Sequence, residues 1–246
     1  MVKVLDILAY GLVSTLPAII GGLLVIVEKN PGRGIMAIFS GFAAGSMVGV
    51  TFAEIIPEAI ELGGMSTLLG VATGIVLFFL IEEFFHLCPA FDQAHKKHKF
   101  DVGILGSLGL GLHSLSDGLA IGAGYEALPL IGLIIAFAIA VHKLPEGIGT
   151  GALLRVNKRS RFTTIAVTSL VSFLTPLGAV TSSLALGNLS ALTLGFALAF
   201  AGGTLLYIAI CELIPEAYHH GLERRASLSI ISGLLLVLFT CKLVSV

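Results

Sequence analysis

His113 and Asp117 stand four residues apart, and so do His142 and Glu146. At helical spacing the members of each pair lie one turn apart on a single helix face. Both pairs are embedded in apolar, helix-length runs, where an ionised carboxylate is costly unless something polar or metallic receives it. A divalent cation is such a partner. Two imidazoles and two carboxylates make a nitrogen and oxygen set suited to Zn2+, Fe2+, Mn2+, Co2+ or Cd2+, whereas Ca2+ and Mg2+ prefer all-oxygen shells. A single buried histidine is more often a hydrogen-bonded core residue. Two of them, each followed one turn later by an acid on neighbouring spans, favour a cation site.

The elements that must position these groups are membrane spans. Of the 246 residues, 56% are hydrophobic and only 12% charged, with a mean hydropathy of +1.03, whereas soluble domains carry about 25% charged residues. Segmenting at about 20 residues per crossing gives eight spans, at roughly 5 to 27, 34 to 60, 65 to 86, 101 to 124, 128 to 154, 162 to 186, 191 to 218 and 226 to 245. The expected fold is therefore an all-α membrane protein, a single transmembrane domain over 1–246. The first run is longer than a signal-peptide core and lacks an Ala-x-Ala site, so it reads as a span. Lys29 and Arg33, Lys96, Lys97 and Lys99, Arg155, Lys158, Arg159 and Arg161, and Arg224 and Arg225 fall in alternate connections. The positive-inside rule makes those connections cytoplasmic and puts both termini outside, with the plasma (inner) membrane as the expected location. Cys88, Cys211 and Cys241 show neither metal-finger spacing nor a disulfide framework.

An internal repeat organises the spans. Phe42 to Ala59 and Phe200 to Ala217 align without a gap, sharing Glu-x-x-Pro-Glu at Glu54 and Glu58 and again at Glu212 and Glu216. The copies lie in spans 2 and 7, an odd number apart, so they cross the bilayer in opposite senses, as expected of alternating-access transporters. Each face of the molecule then receives a carboxylate pair. One reading is that these glutamates only end helices at the interface, since Pro57 and Pro215 disturb the last turns. The other is that Glu54 and Glu58 draw cations into an outer pathway and Glu212 and Glu216, with His219 and His220, line its inner end. Glycines around both histidine motifs allow close helix packing, and Pro145 and Pro176 mark breaks in backbone bonding inside spans 5 and 6.

Together the His113 and His142 segments, the Pro-Glu repeats and Thr175-Pro-Leu-Gly178 resemble the ZIP (Zrt/Irt-like) family of divalent metal transporters. The resemblance implies eight spans in a 3+2+3 arrangement, inverted repeats of spans 1–3 and 6–8 around spans 4 and 5, and metal ligands on spans 4 and 5. It further implies import into the cytoplasm by an elevator-like step of spans 1, 4, 5 and 6 against 2, 3, 7 and 8. Many family members carry two central metals, using Asn after the first histidine, Asn or an acid after the second, and Glu before the span 6 proline. Here those positions are Ser114, Lys143 and Thr175. One ion is therefore expected, at His113, Asp117, His142 and Glu146, with Lys143 offsetting a carboxylate charge when no ion is bound; the alternative is that Lys143 snorkels elsewhere.

The stretch from His86 to Lys99 adds His86, His95 and His98, read as a solvated basic loop or, alternatively, as transient contacts for departing metal. No catalytic residue or catalytic cofactor is expected, so the chain is read as no enzyme, with the metal as transported substrate. The expected partners are divalent metal ions and the lipid bilayer, with no nucleic acid; a homodimer stays open. An intramembrane metalloenzyme and a metal-selective channel are the alternative functions; against the enzyme, there is no His-Glu-x-x-His pattern.

Overall fold

A computed structural model describes residues 2–27, 32–84, 102–185, 190–219 and 222–244. His86, Cys88, His95, His98 and His220 lie outside them, and so do the roles expected of these histidines. All elements among the described residues are helical. Eight helices are long and apolar enough to cross a membrane. They are α1 (Val2–Val27), α2 (Arg33–Gly63), α3 (Met65–Glu83), α4 (Val102–Ala127), α5 (Pro129–Val156), α6 (Arg161–Ala185), α7 (Ala191–Tyr218) and α8 (Glu223–Val244). These bounds follow the sequence segmentation closely. Long Leu, Ile, Val, Ala and Gly runs leave no alternative in a bilayer, because a helix alone satisfies every backbone group within its own segment.

Helices α2 and α7 each contain one widened turn, at Thr51–Ile55 and Ile208–Leu213. There the Ile56 and Ile214 amides donate five residues back, to the Thr51 and Ala209 carbonyls. Each turn lies just before a proline, which lacks a donor and crowds the carbonyl four residues earlier. The extra residue per turn rotates Glu54 and Glu212 relative to the helix that precedes them. Further breaks are absorbed by neighbours. The Ser172 carbonyl, deprived of its partner by Pro176, accepts a hydrogen bond from Thr15 Oγ1 of α1 at 3.3 Å. Both α5 and α6 continue through their prolines as single helices.

Two packing groups result. Helices α1, α4, α5 and α6 pack extensively on one another, and α2 packs on α8 and α3 on α7; the groups meet along α2 with α5 and α4 with α7. Within the first group Gly118 seats α4 against the Thr175 carbonyl of α6, and Gly147 seats α5 against the Ala18 carbonyl of α1. A Cβ at either position would collide with backbone. Large apolar side chains such as Phe137, Phe162, Leu184 and Phe239 are exposed on the outer surface of the bundle.

Candidate metal centre

Near the middle of α4 and α5 the two histidine motifs face each other. Their imidazole centroids are 5.8 Å apart. Asp117 Oδ2 lies 3.5 Å from His113 Nε2 and 3.6 Å from His142 Nε2. One ligand atom from each of His113, Asp117 and His142 falls within 4.8 Å of the others, and all three residues are buried. His113 Nδ1 has no hydrogen-bond partner, and neither His142 nitrogen meets hydrogen-bond geometry with the carboxylates beside it, Glu54 and Asp117. Buried polar atoms of this kind are normally satisfied, and unsatisfied ring nitrogens converging on a carboxylate are the donor set that a borderline-soft divalent ion accepts.

Glu146 stands beside this trio but is held by other groups. Its Oε2 lies 4.0 Å from His113 Nε2, and 2.5 Å from the Lys143 ammonium. Ser114 donates to Glu146 Oε1 at 2.6 Å, and Lys143 donates to the Ser114 hydroxyl at 2.7 Å. The same ammonium lies 2.9 Å from Asp117 Oδ2. Lys143 is fully buried and does not snorkel. It bridges the acid of each motif, so three of the expected four ligands converge directly and the fourth is reached through the ammonium. Thr175 is buried nearby on α6, its hydroxyl without a partner.

Residues 92–240 match the family profile described as ZIP Zinc transporter. The chain is 33% identical over 203 residues to zinc transporter GufA of Myxococcus xanthus, covering 77% of this chain and 79% of that protein. The chain belongs to the ZIP family. It is also similar to zinc transporter ZupT of Corynebacterium aurimucosum, 31% identical over 242 residues and 91% of each chain. With zinc transporter ZIP4 of Rattus norvegicus it is 26% identical over 283 residues, 84% of this chain and 43% of that one. Family membership and eight apolar helices make this ZIP chain an integral membrane protein.

Among the described residues of this ZIP protein, a cavity joins the centre to one end of the bundle. A cavity of about 260 Å3 runs from Glu61 and Glu58 past Glu54 and Cys241 to Asp117 and His142. On the opposite side of the histidines, against Met47, Val50 and Leu205, the void is only about 10 Å3. Glu54 Oε2 touches the centre itself, 3.1 Å from His142 Nδ1, while Cys241 donates to Glu54 Oε1 at 3.0 Å. Sequence reasoning put Glu54 at the mouth of a pathway; its contact with His142 arises from the widened turn of α2, which the proline alone did not specify. Of the inner set, Glu212 is buried, Glu216 half-buried and His219 exposed near the end of α7. Glu82, fully buried on α3, accepts a hydrogen bond from Tyr207 at 2.7 Å, a pairing with no signal in linear spacing.

Proposed function

We propose that this protein imports divalent transition-metal ions, Zn2+ foremost with Fe2+, Mn2+ and Cd2+ alongside, into the cytoplasm through one central site. The observation that carries the reading is the convergence of His113, Asp117 and His142 from two facing membrane helices. Glu146 completes the site as fourth ligand when an arriving cation takes over the role of the Lys143 ammonium. Ser114, Lys143 and Thr175 occupy the positions where two-metal members of the family carry Asn, Asn or an acid, and Glu, and two hydroxyls and an ammonium make a poor second metal site, so the centre holds one ion. Glu54 and Glu58 collect cations in the open cavity; Glu212, Glu216 and His219, with His220, line the exit, and His86, His95 and His98 contact departing metal weakly. The whole chain acts as one transporter domain in the plasma membrane, with both termini outside.

The 3+2+3 arrangement and an elevator step are supported by the separation of α1, α4, α5 and α6 from α2, α3, α7 and α8 in packing. Closure on one side of the histidines favours a carrier over a channel, because a pore needs a continuous path. As a member of a transporter family the chain is no enzyme, so the metalloenzyme alternative falls. In proteoliposomes Zn2+ or Cd2+ uptake is expected to be saturable and to fall at least about tenfold in His142→Ala and in Glu146→Ala, since losing even a group that only supports a metal ligand costs about that much. Unchanged flux in both variants, or two tightly bound central ions in the wild type, would overturn the site.

A further inference from the structure

The two central histidines are not equally supported from behind. His113 Nδ1 is buried and has no hydrogen-bond partner. His142 presents its Nε2 to Asp117 at 3.6 Å and its Nδ1 to Glu54 Oε2 at 3.1 Å. One edge of the ring therefore faces the centre and the other faces α2. Glu54 is itself held from a third helix, because the Cys241 thiol of α8 donates to its other oxygen, Oε1, at 3.0 Å. All three side chains line the same cavity. They form a chain of contacts that runs from α8 through the widened turn of α2 to α5.

A neutral imidazole carries one proton on its two nitrogens, and the nitrogen that binds a metal must be the bare one. Once an ion sits on His142 Nε2, the proton belongs to Nδ1, where Glu54 Oε2 is the acceptor within reach. The present contact has the distance of a hydrogen bond without its alignment, and an ion on Nε2 supplies the missing constraint by fixing the tautomer. A carboxylate behind a ligating histidine orients the ring and raises its basicity, and losing it costs about 10–100-fold in metal affinity. The ligand atoms that lie within 4.8 Å of one another belong to His113, Asp117 and His142. Among the described residues Glu54 and Cys241 fall outside that group, which suits support rather than coordination.

We infer that Glu54 and Cys241 are positioning residues for the metal ligand His142. Glu54 fixes the tautomer and strengthens Nε2 as a donor, and the Cys241 thiol keeps Glu54 turned toward the ring. The inference rests on the reading of His142 as a ligand and gives the outer glutamate a second role besides attracting cations. It makes His142 the stronger imidazole of the pair. A purely charge-collecting Glu54 would have no use for the thiol.

Equilibrium dialysis of Zn2+ against the solubilised full-length protein separates the two roles. Glu54→Gln keeps the side chain's size and should weaken binding at least about tenfold. Glu61→Gln removes one charge from the same cavity and should leave affinity unchanged. Cys241→Ala should weaken binding about fivefold, the scale of one neutral hydrogen bond, and Cys241→Ser, which retains a donor, should recover most of it. Adding Glu54→Gln to His142→Ala should cost nothing further, because the group it acts through is gone. Co2+ in place of Zn2+ reports the ligand shell: its visible band should change in Glu54→Gln, and the wild type should show no thiolate charge-transfer band. Wild-type affinity in Glu54→Gln, an equal loss in Glu61→Gln, additive losses with His142→Ala, or a thiolate band that Cys241→Ser abolishes would each overturn the inference. So would Cys241→Ser binding no better than Cys241→Ala, a comparison that carries the test alone if Glu54→Gln fails to fold. Wild-type Zn2+ binding in His142→Ala is a different failure, since it removes the ligand role of His142 itself.

Discussion

Lys143 is the residue on which the centre turns. Its ammonium lies within 2.9 Å of Asp117 and 2.5 Å of Glu146, with no solvent exposure. Removing one member of such a buried set strands the others, a loss on the order of 3–5 kcal/mol. Lys143→Met is therefore expected to lower the melting temperature of the solubilised protein in chelator, and saturating Zn2+ should restore much of the difference by binding the stranded carboxylates. A melting temperature equal to that of the wild type in chelator would show that the bridge contributes nothing. At this scale much was legible in the sequence. The His-x-x-x-acid spacing identified the facing pairs, and Ser114, Lys143 and Thr175 stood out as departures from a two-metal pattern. The direction of the lysine was not legible, because snorkelling and bridging use the same residue type and only the packing of α4 on α5 decides between them.

At the scale of elements, glycines and prolines set what the helices can do. Gly118 lets α4 rest on the Thr175 carbonyl, which holds the Asp117 turn against α6. Gly118→Ala should destabilise the protein by about 1–3 kcal/mol through overpacking, whereas the lipid-facing Leu112→Ala should stay within about 0.5 kcal/mol. Thermal melts of the two variants check the contrast, and equal losses would remove the packing argument. Apolar run length gave the helices to within a few residues, since a bilayer demands little else. The widened turns at Thr51–Ile55 and Ile208–Leu213 were hidden. A proline announces a lost donor, but whether a kink, a water or an added residue compensates depends on the neighbouring helices.

For the molecule as a whole, the inverted repeat was legible as a gapless match between Phe42 to Ala59 and Phe200 to Ala217, while the partition of helices into two packing groups came from the family resemblance alone, since apolar run length says nothing of which spans touch. The proposed orientation rests on charge: Arg33, Arg155, Arg161 and Arg225 all lie at helix ends, in connections that the positive-inside rule places in the cytoplasm. Epitope tags on both termini should be accessible from outside intact cells; a terminus reached only after permeabilisation would invert the proposed topology. The buried ammonium between two carboxylates has one more consequence, for membrane voltage. In the proposed elevator step, with both imidazoles neutral, the unloaded group carries one net negative charge at its centre, and a divalent ion turns that into one net positive charge. An inside-negative potential then favours the loaded group moving inward and also the unloaded group returning outward, each by up to about 2.3 kcal/mol per 100 mV for a full crossing. Uptake into proteoliposomes should rise under an inside-negative K+ diffusion potential and fall when its sign is reversed, so that a single lysine makes both halves of the cycle draw on the same electrical field.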